Sequence, residues 1–178
     1  MDVIVLDGAN RFDPYTVSSF ARKASISPEG LLKRIRIARA FTCYQMATLM
    51  GEKLTCLLRQ ESAITQTQKP WVILLGPITT FLDEDIPERE VRPLFERALR
   101  GVEFLAEKGI PFFLFQAMLP SRSKRSYLLK RLFQFSHLVL RIGLGDEGPR
   151  VTLEKGPTGF QIPDSGLRIV NHGEQAEH

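Results

Sequence analysis

Short continuous apolar runs alternate with longer stretches in which apolar residues recur every three or four positions. Val3–Leu6, Trp71–Leu75 and Ile110–Phe115 are runs of the first kind. Each is closed by a turn-forming or polar residue, which predicts buried strands. Between them, Asp13-Pro14 opens a helix to about Ala24, with Asp13 as its cap and Pro14 in the first turn. Ser27-Pro28-Glu29 opens a short second helix, and Ile35, Ile37 and Ala38 lead into a strand ending near Ala40. Tyr44 to about Ala63 keeps a 3.6-residue period through Met46, Leu49, Met50, Leu54, Leu57 and Leu58. Pro87–Lys108 does the same through Val91, Leu94, Phe95, Ala98, Leu99, Val102 and Leu105, and Gly109 stands in the usual stop position. Tyr127–Phe135 reads as a helix, His137–Ile142 and Val151–Glu154 as strands, and Phe160–Val170 as a final hairpin before a polar tail at 171–178. Alternating strands and helices with unbroken apolar strands predict an α/β protein, its sheet largely parallel, with one core over residues 1–170.

Composition adds limits. The chain has 178 residues, the size of one domain, and 43% apolar against 25% charged residues excludes a wholly disordered chain. Cys43 and Cys56 make no disulfide framework, and standing 13 positions apart they have no metal-ligand spacing that His137, His172 and His178 complete. Buried thiols are the simpler reading. No apolar run approaches the ~20 residues of a membrane span. The first residues lack a basic leader, so a cytoplasmic or nucleoid-associated protein with no membrane partner is expected; no cofactor is expected either.

Charge changes the picture more. Net charge is only +4, but no Asp or Glu occurs between Lys108 and Gly145. Arg122, Lys124, Arg125, Lys130 and Arg131 cluster there, while Asp83, Glu84, Asp85, Glu88 and Glu90 form an acidic stretch. A basic loop followed by helical cations suits phosphate contacts without sequence preference, and a solvated helix face is the plain alternative.

Several segments in series carry a family resemblance. Val5-Leu6-Asp7-Gly8-Ala9-Asn10-Arg11-Phe12-Asp13-Pro14 is followed by Ile35-Arg36-Ile37-Ala38-Arg39-Ala40-Phe41-Thr42, with Gln45 shortly after. Then come the strands Trp71–Leu75 and Ile110–Gln116 and the basic loop Ser121–Ser126. In order and spacing the chain resembles the RecA/KaiC-like recombinase superfamily, closest to the archaeal and eukaryotic strand-exchange recombinases and their paralogs. The resemblance implies a RecA-like fold with a terminal antiparallel strand pair, and it sets the basic loop where that family has a DNA-facing loop. Its departures concern the nucleotide site. No Gly-x-x-x-x-Gly-Lys-Ser/Thr occurs in the chain, though phosphate binding by that loop depends on glycine amides and the lysine. The family's water-orienting Glu position holds Ala9, and its metal-associated Asp position holds Gly76. Gln116 alone matches a residue that links nucleotide state to the DNA loop. The first strand here matches the family's second, so the phosphate-loop strand is expected to be missing, and with it ATPase activity. That leaves a gap beside Ile110–Phe115, to be closed by His137–Ile142 or filled by a partner or a second copy.

The function expected is therefore that of a non-catalytic RecA-like protein. It would be an accessory or regulatory factor in DNA recombination or repair, binding DNA or an active RecA-fold ATPase. Two alternatives stand beside it. Asp7 and Asn10 after a strand also resemble the opening of NYN/PIN-type metal-dependent nucleases, with Asp83 and Asp85 the nearest further acids. Loop capping is the plainer role for Asp7. The other alternative is a protein-interaction module without DNA binding. Phe95-Glu96-Arg97-Ala98 has the Phe-x-x-Ala form by which those recombinases grip neighbours, but its place in an amphipathic helix predicts core packing.

Overall fold

The structure, a computed structural model, describes residues 2–64, 69–120, 122–145, 148–160 and 168–171. Among them the chain divides into two compact units, Met1–Arg125 and Ser126–His178.

The first unit is built on a four-stranded parallel sheet. Its strands are β1 (Val3–Asp7), β2 (Ile35–Arg39), β3 (Trp71–Leu75) and β4 (Phe112–Phe115), in the order β2-β1-β3-β4. The pairings are in simple register, Val3 opposite both Ile35 and Trp71, and Ile73 opposite Phe113. β4 starts two residues later than the apolar run suggests. Between β1 and β2 lie α1 (Pro14–Lys23) and α2 (Pro28–Leu32), started as their sequences dictate. The Asp13 carboxylate accepts from Tyr15 N and Thr16 N, and Ser27 Oγ accepts from Gly30 N. The Thr16 hydroxyl and these amides hold the Asp13 carboxyl below its ordinary range.

The helical stretch after β2 is a composite. α3 (Cys43–Thr48) passes into a π-helical turn at Leu49–Lys53 and then into α4 (Leu54–Ile64). α5 (Glu88–Glu107) packs on α3 and on that turn, burying Val91, Phe95, Ala98, Leu99, Val102 and Leu105. The helices approach closely because two glycines meet: a Cβ on Gly101 would lie 2.7 Å from Gly51 Cα. Phe81, in a short 3₁₀ turn at Thr79–Leu82, stands edge-on to Phe95, with centroids 5.3 Å apart. Phe95 and Ala98 are thus core residues. No helix among the described residues is long and apolar enough to cross a membrane.

The sheet's two faces differ. Ile4, Leu6, Val72 and Leu74 share one face and are buried. The other carries Val5, Ile37, Trp71, Ile73, Phe113 and Phe115, of which Ile37, Trp71, Phe113 and Phe115 are exposed.

The second unit contains α6 (Ser126–Phe135) and a separate sheet, β5 (Val139–Gly145), β6 (Gly148–Lys155) and β7 (Arg168–Asn171). β5 and β6 form the expected antiparallel pair, while β7 lies parallel to β6. The hairpin expected at Phe160–Val170 falls largely outside the described residues. The expectation that His137–Ile142 closes against Ile110–Phe115 does not hold. β5 pairs with β6, because so little chain separates Gly145 from Gly148 that the pairing is local and cheap in loop entropy. Among the described residues β4 therefore ends the parallel sheet.

Candidate functional site

In an open parallel sheet, ligands bind outside the carboxyl ends of the strands where the chain reverses direction across the sheet. Here that point lies between β1, whose successor runs to one side, and β3, on the other. The residues there are Asp7-Gly8-Ala9-Asn10 and Leu75-Gly76-Pro77.

The crevice is filled by its own backbone. Gly8 N and Ala9 N both donate to Leu75 O, at 2.9 and 3.2 Å, and Gly76 N donates to Phe115 O at 2.8 Å. Gly76 has φ +60°, and a Cβ there would meet Ala9 Cβ at 2.5 Å and Thr79 Oγ1 at 2.4 Å. Gly8 is tight as well, its added Cβ 2.9 Å from Gly76 O. Ala9 and Gly76 are thus wedged together, with no room between them for a phosphate or hydrated ion.

Asp7 is spent on the same loop. Its side chain is fully buried; Oδ1 accepts from Arg11 N at 3.0 Å and Oδ2 from Phe12 N at 2.9 Å. Arg39 Nε approaches Oδ2 at 3.5 Å and its Nη2 donates to Phe12 O at 3.0 Å, tying β2 to the loop. The carboxylate is a turn cap, turned away from solvent. Asn10 takes the left-handed conformation, φ 53°, that finishes the turn. Asp83 and Asp85 are exposed in the loop after β3, where Asp83 Oδ1 accepts from Asp85 N. Among the described residues no cluster of three His, Cys, Asp or Glu is placed to hold a metal. Gln116 ties two strand ends together: its Oε1 accepts from Ile78 N at 3.2 Å and its Nε2 donates to Ala117 O at 3.1 Å.

The basic segment separates into different environments. Arg122 and Lys124 are exposed beside a turn in which Ser123 N donates to Pro120 O. Lys130 is exposed on α6, and Arg131 on the same helix is half-buried with an interaction of its own. Arg125 is a correction to the sequence reading. It is buried, and its guanidinium donates to Phe81 O at 2.6 Å and to Asp83 O and Ile86 O, with Glu88 Oε2 at 3.4 Å from Nε. It staples the β3–α5 loop and is not offered to a phosphate. Its anchorage holds Arg122 and Lys124 near the carboxyl end of the sheet.

Cys43 is buried, and burial pushes its thiol up from the ordinary range; Cys56 is exposed, and the two are not paired. One feature has no motif behind it: an open groove of about 410 Å³ beside β2, floored by Ile4, Leu6 and Ala38 and roofed by Leu49, Leu54 and Leu57. Its only sequence signal is Arg36 and Lys53 at otherwise apolar-facing positions.

Against known proteins, no protein-family model matches the chain and no curated protein matches its sequence.

Proposed function

We propose that this chain is a RecA-like protein without a nucleotide site, serving as an accessory or regulatory factor in DNA transactions through phosphate contacts by Arg122, Lys124 and Lys130. The observation that carries the reading is the break in the sheet. The resemblance drawn from the sequence has an interior strand beside Ile110–Phe115, and here the parallel sheet stops at β4 and a new sheet begins at β5. The self-filled crevice between β1 and β3 and the inward-turned Asp7 agree with a protein that has no phosphoryl chemistry of its own. Arg122, Lys124 and Lys130 are exposed and open to phosphates. Each neutralised phosphate releases counterions, so affinity should fall steeply with salt.

The test is fluorescence anisotropy with a labelled single-stranded DNA across a salt series, with ATP titrated separately by calorimetry. Expected are sequence-independent binding at low salt and no heat from ATP. Double reversal of Arg122 and Lys124 to Glu should flatten the salt slope by about one for each phosphate no longer neutralised. Unchanged DNA binding in that variant sinks the phosphate reading, and stoichiometric ATP binding overturns the proposal as a whole.

A further inference from the structure

We propose that the outer edge of β5 joins two copies of this chain through an antiparallel strand pair centred on Ile142. This stands independently of the nucleic-acid reading and rests on the second unit alone. Among the described residues β5 pairs with β6 and with no other strand, so one row of its backbone donors and acceptors has no strand opposite. Soluble proteins blunt such edges with lysine, proline, a bulge or an inward-pointing charge. β5 has no lysine or proline. Its one irregularity falls between Val139 and Leu140, at its start, and residues 140–145 are regular against β6. Ile142 is 69% exposed and Leu144 90%, on the same face as Leu140.

The strand's own pattern selects the occupant. β5 runs from Val139 to Gly145, so pairing its full length with a second copy puts Ile142 opposite its own counterpart. Leu140 then faces Leu144 of the second copy, and Arg141 faces Gly143. Half a step either way opposes Ile142 to Arg141 or to Gly143. A full step back sets Arg141 against itself, and a full step forward carries Leu140 past the end of the facing strand. The central register alone keeps each apolar side chain of the stripe on an apolar partner and the arginine off its like. Gly143 gives that arginine room, since a Cβ built there meets no atom within 4 Å. A glycine inside a strand often marks such a close approach of another backbone.

The charges around this edge leave it open to a like copy. The Arg141 guanidinium reaches back across its own sheet, its Nη2 2.5 Å from Glu154 Oε1 on β6. Lys155, in register with Val139, is drawn toward α6, its Nζ donating to Phe133 O at 3.1 Å and to Gln134 O at 2.9 Å. Arg150, in register with Gly143, is exposed one strand further in and stays in solvent when the edges pair. Among the described residues no bare charge therefore stands on the β5 edge to repel its counterpart.

Sedimentation velocity up to about 100 μM, enough to populate even a weak dimer, should show the wild-type chain as monomer and dimer and no larger species. Ile142→Glu sets two carboxylates together on the axis and should weaken dimerisation at least about a hundredfold, and Ile142→Lys should do the same with two ammonium groups. Mixed in equal amounts, the two variants should dimerise with each other, because the residue on the axis meets its own counterpart. Cross-linking reads the register. In a Cys56→Ser background, Ile142→Cys should form a covalent dimer on mild oxidation with diamide, since facing Cα atoms lie about 4.5–5.5 Å apart, within disulfide reach. Leu144→Cys, though more exposed, should cross-link little, because it faces Leu140 and not itself. A wild-type chain that sediments as a monomer throughout overturns the proposal. So does a dimer that persists in Ile142→Glu, or equal cross-linking at the two positions.

Discussion

Arg125 shows what a charge pattern leaves out. Its place in the run Arg122–Arg131 marks it as one more cation for a phosphate, yet its guanidinium satisfies carbonyls of Phe81, Asp83 and Ile86, far away in sequence. Those carbonyls lie in a short 3₁₀ turn and the loop after it, outside any sheet ladder, a need invisible in local sequence. Asp7 is more legible, because an acid shortly before a turn-forming Asn caps its own loop. The distinction is measurable. Arg125→Ala removes the shared donor from these carbonyls, that of Phe81 buried, and should cost about 2–4 kcal/mol in urea unfolding. Arg125→Lys should rescue little, since a single ammonium nitrogen cannot span the separate acceptors that Nη1, Nη2 and Nε face. Arg122→Ala, exposed, should stay within about 0.5 kcal/mol. Thiol chemistry gives a second check at this scale. Cys43 is buried with its thiol pushed up, so less of it is the reactive thiolate, and Cys56 is exposed. A thiol reagent should label one cysteine in the native protein and two in denaturant; rapid native labelling of both would contradict the burial of Cys43.

Among the elements, the periodic segments are legible nearly to the residue because apolar spacing follows directly from which face is buried. β3 and α5 are the clearest cases. The π-helical turn at Leu49–Lys53 is not legible, since the apolar spacing continues smoothly across it. Its setting is tertiary: α5 approaches so closely that Gly101 faces Gly51 with no room for a methyl group. Alanine substitution should therefore act oppositely at the two glycines. At Gly101 a Cβ lies 2.7 Å from Gly51 Cα and 3.0 Å from Met50 O, both backbone, so the helix must shift. Gly101→Ala should destabilise by about 1–3 kcal/mol despite the better helix propensity. At Gly51 a Cβ would meet Ala98 Cα and Arg97 O only at 4.0 Å, so Gly51→Ala should be neutral or stabilising by up to about 1 kcal/mol. Thermal melts of the two variants compare the signs directly. A strand edge carries another expectation. Along β5, Leu140, Ile142 and Leu144 share one face with exposures of 40%, 69% and 90%, an apolar stripe on a strand that ends its sheet. Leu144→Lys should reduce aggregation on concentration, seen by light scattering, without lowering the melting temperature.

For the molecule as a whole, alternating runs point to the α/β class and the parallel sheet, but not to its division. Where one strand pairs with another depends on loop entropy and on which edges are free, and neither is a property of a strand's own residues. β5 can be read as a strand and still be assigned to the wrong neighbour. The division has a thermodynamic consequence. Of the buried apolar residues among those described, Leu128, Leu132 and Val151 alone fall after Arg125; the rest, from Ile4 to Leu105, lie before it. Apolar burial is the main favourable term in folding, and a unit of fewer than about 60 residues is marginal even with a full core. The first unit has a sheet face, α3, the π turn and α5 around one continuous core, and it contains both ends of the Arg125 staple. A fragment ending at Tyr127 should therefore keep a cooperative thermal transition, while residues 126–178 alone should show the circular dichroism of an unfolded chain. A cooperative melt for the short fragment would mean that its three buried apolar residues understate its core. A first fragment that fails to fold would show that the parallel sheet draws its stability from beyond Tyr127, and that its open face is not tolerated in isolation.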